Sequence, residues 1–166
     1  MYSQYLEVRP AKIGKGIFTR VTIPADSPII EFRGTIVNSK DLPQDSSIYL
    51  QIGPESYLGP VGTVNGVDYI NHSCDPNCYI HVVGNRVILY SLYVISENME
   101  LTFDYSTTST DTHDSWKMNC LCESFKCRRV ISGFQYLDAS LQEEYKRKGM
   151  VPLYIAEPRL VQMRKR

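Results

Sequence analysis

The chain has 166 residues, of which 43% are hydrophobic and 22% are charged, a balance typical of a single soluble globular domain. Its 18 Lys and Arg residues equal its 18 Asp and Glu residues in number, and a neutral chain is a poor candidate for sequence-independent DNA binding, which depends on neutralising phosphates. No apolar run approaches the ~20 residues that a membrane helix needs, and the N-terminal residues lack the charged-then-apolar pattern of a signal peptide. We therefore expect an intracellular protein, cytoplasmic or nuclear, without a direct nucleic-acid or membrane partner.

Most of the chain is predicted to form short β-strands, because β-branched and aromatic residues recur in runs separated by turn residues. Such runs occupy residues 28–38, 48–52, 80–83, 86–94 and 100–104. Gly34 interrupts the first run and predicts a bulge or bend, and Gly84-Asn85 is a two-residue loop of the hairpin type. Strands and helices do not alternate behind a glycine-rich turn, so a Rossmann-type fold is not expected.

One helix is predicted near the C-terminus. Ser140 and Glu143 have the spacing of a capping box at its start. Leu141 and Tyr145 are four residues apart and share one helical face, and Gly149 is a typical residue at a helix end. The expected architecture is therefore mainly β, with several small sheets followed by a C-terminal helix.

The segment 106–115 is polar and of low complexity, since it consists mostly of Ser, Thr and Asp. Two interpretations fit this composition. It is either a mobile surface loop or a hinge between the main body and a C-terminal module.

Three of the five cysteines form a Cys-x-Cys-x4-Cys pattern at Cys120, Cys122 and Cys127. This compact spacing is typical of tetrahedral zinc coordination by thiolates, and in a reducing compartment metal ligands or buried thiols are more plausible than disulfides. The fourth ligand must come from elsewhere, and Cys74 and Cys78 lie together far upstream. A four-thiolate site built from two segments would attach the C-terminal module to the body of the fold.

A dense polar cluster, Asn71-His72-Ser73-Cys74-Asp75-Pro76-Asn77, follows the apolar pair Tyr69-Ile70. Its amide and imidazole groups could hold a charged ligand through hydrogen bonds. Two alternatives stay open: a turn whose side chains satisfy one another, and His72 as a zinc ligand.

Downstream, Glu100-Leu101-Thr102-Phe103-Asp104-Tyr105 ends a predicted strand, with Phe103 and Tyr105 on the same face. Aromatic residues in strands are commonly core residues. A tyrosine at the end of a strand, beside a polar segment, can equally present its hydroxyl at the rim of a pocket.

Taken in order, these motifs resemble the SET-domain lysine methyltransferases that carry a post-SET segment. The resemblance spans about residues 5–130 and rests on Lys12-Ile13-Gly14-Lys15-Gly16-Ile17-Phe18, the run ending at Gly34, the Asn71 cluster, residues 100–105, and the cysteine pattern followed by Arg128. The stretch between Gly34 and Asn71 is short, as in compact bacterial and viral members, and leaves little of the insert that usually recognises substrate. The family's fold has several small β-sheets, with the Asn-His segment threaded beneath a loop as a pseudoknot.

The resemblance divides the chain into a SET domain (1–106), a flexible loop (107–115), a post-SET zinc segment (116–130) and a C-terminal helical extension (131–166). It implies S-adenosylmethionine as cofactor and a structural Zn²⁺. It also implies a protein or peptide partner that carries a target lysine, for which histone tails are the family's usual example.

Site residues follow from the same resemblance. The cofactor would be held by the backbone of Lys15, Gly16 and Ile17, by Asn71 and His72, by Tyr105, and by Leu121 over the adenine. Tyr105 would be the catalytic tyrosine, and Tyr49 would line the target-lysine channel. The zinc ligands would be Cys74, Cys120, Cys122 and Cys127, which leaves Cys78 as a separate thiol.

Methyl transfer to lysine requires a neutral amine, whereas a lysine with a pKa near ~10.4 is only about one part in a thousand neutral at pH 7. A dry aromatic channel favours the neutral amine because desolvation penalises the cation, and the Tyr105 hydroxyl can orient the lone pair. Phe103 bears on the product, since in this family a tyrosine at that position holds a water that crowds the amine. Phenylalanine therefore predicts di- or trimethylation.

Two other classes of function account for part of the sequence. The first is a SET-like module that binds peptide or cofactor without turnover, which predicts damage at Tyr105, Asn71 or His72, although all three are present. The second is a zinc-dependent interaction domain, which accounts for the cysteines and leaves the other motifs unexplained.

Overall fold

A computed structural model describes residues 1–43, 49–59, 67–110 and 116–158. Within these ranges the strands are β1 (Leu6–Pro10), β2 (Lys15–Thr19), β3 (Pro28–Phe32), β4 (Ile36–Asn38), β5 (Leu50–Gln51), β6 (Ser56–Leu58), β7 (Asn71–His72), β8 (Cys78–Val83), β9 (Arg86–Ser91), β10 (Thr102–Phe103), β11 (Met118–Asn119) and β12 (Val130–Ile131). The α-helices are α1 (Ala139–Arg147) and α2 (Leu153–Ala156). The prediction of a mainly β fold with a C-terminal helix is confirmed.

The strands form several small sheets rather than one large sheet. Two have three strands, in the orders β3-β9-β8 and β4-β6-β5, and the pairs β1-β2, β7-β10 and β11-β12 make the others. The main core lies on the β3-β9-β8 sheet, where Ile29, Ile80, Val87 and Leu89 are almost completely buried. The β8-β9 hairpin turns at the predicted Gly84-Asn85 loop, and Gly84 has a φ of 59°, a conformation that glycine adopts at little cost.

The short parallel pair β7-β10 decides where the polar motifs lie. Asn71 pairs with Thr102 and His72 pairs with Phe103, although each pair is separated by 31 positions in the chain. The Asn-His cluster and the Phe-Asp-Tyr motif are therefore adjacent in space.

The start of α1 differs from the capping box predicted at Ser140. Asp138 is the N-cap, and its carboxylate accepts hydrogen bonds from the backbone N–H and the hydroxyl of Ser140 at 2.9 and 2.5 Å. Glu143 instead pairs with Lys146 at 2.9 Å. Asp and Ser are both good N-caps, and the helix starts from the aspartate, ahead of the predicted serine. No helix in the described ranges is long and apolar enough to cross a membrane.

The segment predicted to be a flexible loop, 107–115, begins inside the core. Thr107 and Thr108 are buried, and the carbonyl oxygen of Thr108 accepts a hydrogen bond from the Tyr154 hydroxyl at 2.6 Å. Thr110 is tied to Gln51 through its backbone N–H at 2.8 Å. Residues of the C-terminal extension thus bond the backbone of positions 108 and 109, while positions 111–115 lie outside the described residues.

The C-terminal residues form a second apolar cluster against the body. Phe134, Leu137, Tyr145, Met150 and Val151 are buried there, with Tyr79, Leu92, Leu141 and Ile155 packed around them. Leu141 and Tyr145 do share one face of α1, as their spacing predicts. Residues 131–158, the described part of the extension, are consequently an integral part of the fold.

Candidate active site

A cleft, here called the Asn71 cleft, opens where β7 and β10 meet two other segments. These are the turn between β1 and β2 (residues 11–14), here called the N-terminal turn, and the cysteine-rich segment 116–130. The walls of the cleft are Lys12, Ile13, Asn71, His72, Ser73, Glu100, Thr102, Leu121 and Cys122. Three of the residues predicted to bind a cofactor, Asn71, His72 and Leu121, therefore share one concave surface. The N-terminal turn contributes Lys12 and Ile13 to the walls, rather than the predicted Lys15, Gly16 and Ile17.

Asn71 fixes the N-terminal turn against the end of the β7-β10 pair. Its amide nitrogen lies 3.0 Å from the carbonyl oxygen of Lys15 and 2.6 Å from Oε1 of Glu100. Each contact uses the NH₂ group as the donor. The side chain therefore joins three segments that are distant in the sequence.

Glu100 belongs to the motif of residues 100–105, but the sequence alone gives its side chain no role at the site. It lies at the back of the Asn71 cleft, beside Gly16. A Cβ atom at Gly16 would lie 2.8 Å from the Glu100 carboxyl carbon and 2.9 Å from the Ala11 side chain. A side chain at position 16 would therefore displace the flexible end of Glu100 and crowd the Cβ atom of Ala11, beside the cleft.

Lys15 and Ile17, the two residues next to Gly16, each contact another part of the fold. The Ile17 side chain is buried in the core, and its carbonyl oxygen accepts a hydrogen bond from Leu101 at 2.7 Å. The Lys15 ammonium lies 5.6 Å from the centre of the Tyr69 ring. These two residues therefore shape the turn behind the cleft.

The cysteine-rich segment covers the opposite side of the cleft. Leu121 is a wall residue that is 60% exposed, and an exposed ion pair joins Glu123 to Lys12 of the N-terminal turn. The ion pair links the two sides of the opening. Apolar surface at Leu121 is thus available to a ligand in the cleft.

Tyr105 lies directly behind His72 at the end of β10. Its hydroxyl donates a hydrogen bond to the carbonyl oxygen of Ile70 at 2.8 Å. Burial, with a smaller contribution from the charge of Glu100, raises the pKa of Tyr105 to about 12. The phenol is therefore neutral at physiological pH and suits hydrogen bonding rather than proton abstraction.

Phe103 and Tyr105 form an aromatic wall, although β10 ends at Phe103 and Tyr105 begins a 3-10 helix instead of lying in the predicted strand. Their ring centres are 4.9 Å apart, and Phe103 is buried. Tyr49 lies just before β5, with its ring over Gly59, where a Cβ atom would be only 2.6 Å from the tyrosine Cε1. Phe103 and Tyr105 thus contact each other, whereas Tyr49 lies beside the β4-β6-β5 sheet.

The predicted zinc cysteines converge from both segments. The sulfur atoms of Cys74 and Cys120 are 3.6 Å apart, which fits the separation of about 3.8 Å that two thiolates have in a tetrahedral zinc site with ~2.3 Å bonds. Cys122 and Cys127 pack against this pair. Cys78 lies instead at the start of β8, where it is completely buried in the main core.

Backbone N–H groups point at two of these sulfurs, an arrangement that stabilises thiolates. The N–H of Arg128 donates to Cys74 and that of Arg129 donates to Cys127, each at 3.4 Å. Burial raises the pKa of Cys74, and it raises that of Cys120 to about 11. Burial also acts to raise the pKa of Cys122, but hydrogen bonds, including those from Ser124, lower it to about 6. A bound dication would take the place of the protons that these buried thiols otherwise keep.

His72 lies near the same cluster, and its ring nitrogen Nε2 is 3.2 Å from the Cys74 sulfur. The ligand atoms of His72, Cys74, Cys120 and Cys122 all fall within 4.8 Å of one another, so the structure groups His72 with the cysteines. The backbone N–H of Tyr105, however, donates to Nδ1 at 3.1 Å. Nδ1 is therefore an acceptor, and burial lowers the pKa of His72 to about 4, although Asp104 opposes the shift.

The tautomer that follows argues against metal ligation by His72. A neutral ring with an unprotonated Nδ1 carries its hydrogen on Nε2, and that N–H points at the Cys74 sulfur. A ligating Nε2 would place the hydrogen on Nδ1, against the N–H of Tyr105. His72 therefore fits the role of a hydrogen-bond donor to a thiolate, while Cys127 lies outside this group of four ligand atoms.

Comparison with known proteins finds a matching family and similar proteins. The family model described as the SET domain matches residues 14–106. The human histone-lysine N-methyltransferase 2B is 31% identical over 137 residues, which is 75% of this chain and 5% of that protein. The histone-lysine N-methyltransferase set1 of Dictyostelium discoideum is 33% identical over 131 residues, covering 70% of this chain and 8% of that protein.

Solved structures give a similar result. KRYPTONITE in complex with mCHH DNA, an H3(1-15) peptide and SAH superposes with a TM-score of 0.64 at 30% identity, covering 76% of this chain and 29% of that chain. Its complex with mCHG DNA and SAH gives a TM-score of 0.64 at 31% identity over the same shares. The chain thus spans less than a tenth of those two curated relatives and under a third of this structural neighbour.

Proposed function

The chain belongs to the SET domain family, and on that premise we propose that it is an S-adenosylmethionine-dependent protein-lysine N-methyltransferase. The observation that carries the proposal is the β7-β10 pairing, which sets the Asn71 cleft beside the Phe103–Tyr105 wall. A cofactor site and an aromatic lysine channel would then meet at Tyr105. The SAH bound in the KRYPTONITE complexes supports the choice of cofactor.

The residues of the cleft suit this cofactor. Asn71 and His72 line the part of the cleft proposed for the zwitterionic amino-acid portion, where the amide oxygen of Asn71 is an acceptor for its ammonium group, and Leu121 offers apolar surface for an adenine. When bound, S-adenosylmethionine supplies a methyl group on a positively charged sulfur. The Glu100 carboxylate at the back of the cleft favours a cationic ligand there.

Tyr105 would act on the incoming lysine. Its phenol is neutral, and its hydrogen is directed to the Ile70 carbonyl, so a lone pair of its oxygen can accept a hydrogen from the amine. Aromatic surroundings disfavour the ammonium form, because desolvation penalises the charge. Orientation of the neutral amine towards the methyl group accounts for a large part of the expected acceleration.

The product is proposed to be di- or trimethyl-lysine. Phe103 carries no hydroxyl that could hold a water molecule beside Tyr105, and its buried position leaves the aromatic wall apolar. Successive methyl groups would therefore find space that an ordered water would otherwise fill.

The metal proposed is one structural Zn²⁺ held by Cys74, Cys120, Cys122 and Cys127. Supporting it are the 3.6 Å separation of two sulfurs and the N–H donors to Cys74 and Cys127. Four protein ligands would close the site, so zinc would attach the cysteine-rich segment to β7 and take no part in methyl transfer.

The substrate proposed is a lysine-bearing protein or peptide inside the cell, with histone tails as the first candidates. The names of the relatives and the H3(1-15) peptide of the structural neighbour support this choice. The test is incubation with methyl-labelled cofactor and a panel of histone peptides, each beside a copy with every lysine replaced by arginine. Label in the lysine peptides alone supports the proposal, whereas cofactor binding without label in any peptide, histone or lysate protein supports a binding module.

A further inference from the structure

A buried carboxylate joins three parts of the chain behind the candidate active site. Asp104, between Phe103 and Tyr105, is only 1% exposed. The Arg128 guanidinium reaches both of its oxygens, with Nη1 2.7 Å from Oδ2 and Nη2 2.8 Å from Oδ1. The N–H of Ser106 donates to Oδ1 at 3.0 Å. Asp104 therefore connects the turn that carries Tyr105, just after β10, to the cysteine-rich segment.

The C-terminal extension supplies another donor to the same carboxylate. The Tyr145 hydroxyl of α1 lies 3.0 Å from Oδ2 of Asp104, and the Tyr145 side chain is 4% exposed. Burial raises the pKa of Tyr145, so its hydroxyl keeps the hydrogen that it donates. Its ring is held by Phe134, Leu137, Met150 and Val151.

A continuous set of hydrogen bonds leads from this carboxylate to the reacting groups. Arg128, whose side chain pairs with Asp104, donates its backbone N–H to the Cys74 sulfur. The same sulfur lies within hydrogen-bond distance of Nε2 of His72. His72 in turn accepts the backbone N–H of Tyr105. A displacement of Asp104 would consequently be transmitted to the tyrosine and to the cysteine cluster.

We propose that Tyr145 is a positioning residue, which holds Asp104 so that Tyr105 and the cysteine-rich segment keep their working arrangement. The inference rests on the proposed function for its catalytic part, and on the geometry of the cysteine cluster for its metal part. The extension, residues 131–158, would then contribute to the reaction as well as to packing.

The test compares two variants that each remove one buried hydroxyl from the extension. Tyr145→Phe removes the donor to Asp104. Tyr154→Phe is the matched control, since Tyr154 is equally buried and its hydroxyl bonds the backbone carbonyls of Gln51 and Thr108. Both variants keep the aromatic ring, so both preserve the apolar packing.

Four quantities are measured on zinc-loaded wild type and both variants: kcat, KM for the peptide, the rate of zinc release to a chromogenic chelator, and Tm. We expect Tyr145→Phe to lower kcat about tenfold with KM within about twofold, and to speed zinc release about fivefold, because a buried charged acceptor loses one donor. Tyr154→Phe should lower Tm to a similar extent, with kcat and zinc release within about twofold of wild type.

Equal kcat and equal zinc release in the two variants would overturn the inference and leave Tyr145 as a packing residue. If the wild type transfers no methyl group to any lysine, the proposed function fails, and zinc release alone then decides the inference. The two failures are therefore distinguishable.

Discussion

The Tyr105 hydroxyl donates to the carbonyl oxygen of Ile70, 2.8 Å away and 35 positions earlier in the chain. Ile70 immediately precedes Asn71, whose amide forms part of the adjacent cleft. One hydrogen bond thus fixes the orientation of the phenol relative to the proposed cofactor site.

Zinc content should depend on four of the five cysteines. Cys120→Ser should reduce bound zinc from one equivalent to a small fraction, because a weaker oxygen donor replaces a thiolate at a converging site. Cys78→Ala should retain a full equivalent, since Cys78 lies in the main core away from the cluster. Atomic absorption on purified protein measures both, and zinc loss in Cys78→Ala alone would reverse the ligand assignment.

Cofactor binding should be sensitive to Gly16. In Gly16→Ala the new methyl group would displace the Glu100 carboxylate, a wall residue of the cleft, and would crowd the Cβ atom of Ala11. We expect calorimetry to show at least about a tenfold weaker affinity for S-adenosylhomocysteine, a loss of ~1.4 kcal/mol.

The neighbouring glycine provides the control for that experiment. Gly14 has a φ of 60° and open space around it, and asparagine tolerates this conformation better than most residues. Gly14→Asn should therefore bind within about threefold of wild type. An unchanged affinity in Gly16→Ala would show that the approach of Glu100 is unimportant.

Product degree should change at Phe103. Phe103→Tyr adds a hydroxyl next to Tyr105, where it can hold a water molecule beside the amine. With excess cofactor, mass spectrometry should find di- or trimethyl-lysine with wild type and mainly monomethyl-lysine with the variant. Only monomethyl-lysine from the wild type would contradict the assignment of Phe103.

Alkaline pH should destabilise the fold through Tyr105. Its pKa in the folded protein, about 12, is above the ordinary value of 10.0, so the folded state retains the proton more tightly than the unfolded state does. The resulting stabilisation, about 2 to 3 kcal/mol, is fully present below pH 10 and is lost as the pH rises towards 12. Urea unfolding at pH 8 to 11.5 should show a smaller decline for Tyr105→Phe than for wild type, and equal declines would contradict the shift.

Local patterns in the sequence are sufficient for several features of the fold and site. The β8-β9 hairpin follows from Gly84-Asn85, because the loop type demands a residue that tolerates positive φ. The convergence of Cys74 with Cys120 follows from thiolate chemistry together with the resemblance. Such features depend on residues whose chemistry permits few alternatives.

Other features depend on contacts that sequence spacing does not encode. The spacing places Tyr145 on the apolar face of α1, but its partner Asp104 lies 41 positions earlier. The crowding around Gly16 comes from Ala11 and from Glu100, and Glu100 approaches it only after folding. The capping prediction at Ser140 is wrong for a local reason, since Asp138 is an equally good cap two residues earlier.

The most direct test of methyl transfer to lysine is a single-turnover assay that compares wild type with Tyr105→Phe at saturating cofactor and peptide. The variant loses only the hydroxyl, and its ring can still pack against Phe103 and His72. We predict that cofactor affinity stays within about threefold while the rate of methyl transfer falls by roughly 100-fold or more, because the amine loses its orienting group. A variant that transfers methyl groups as fast as the wild type would contradict the proposed role of Tyr105 and the mechanism built on it.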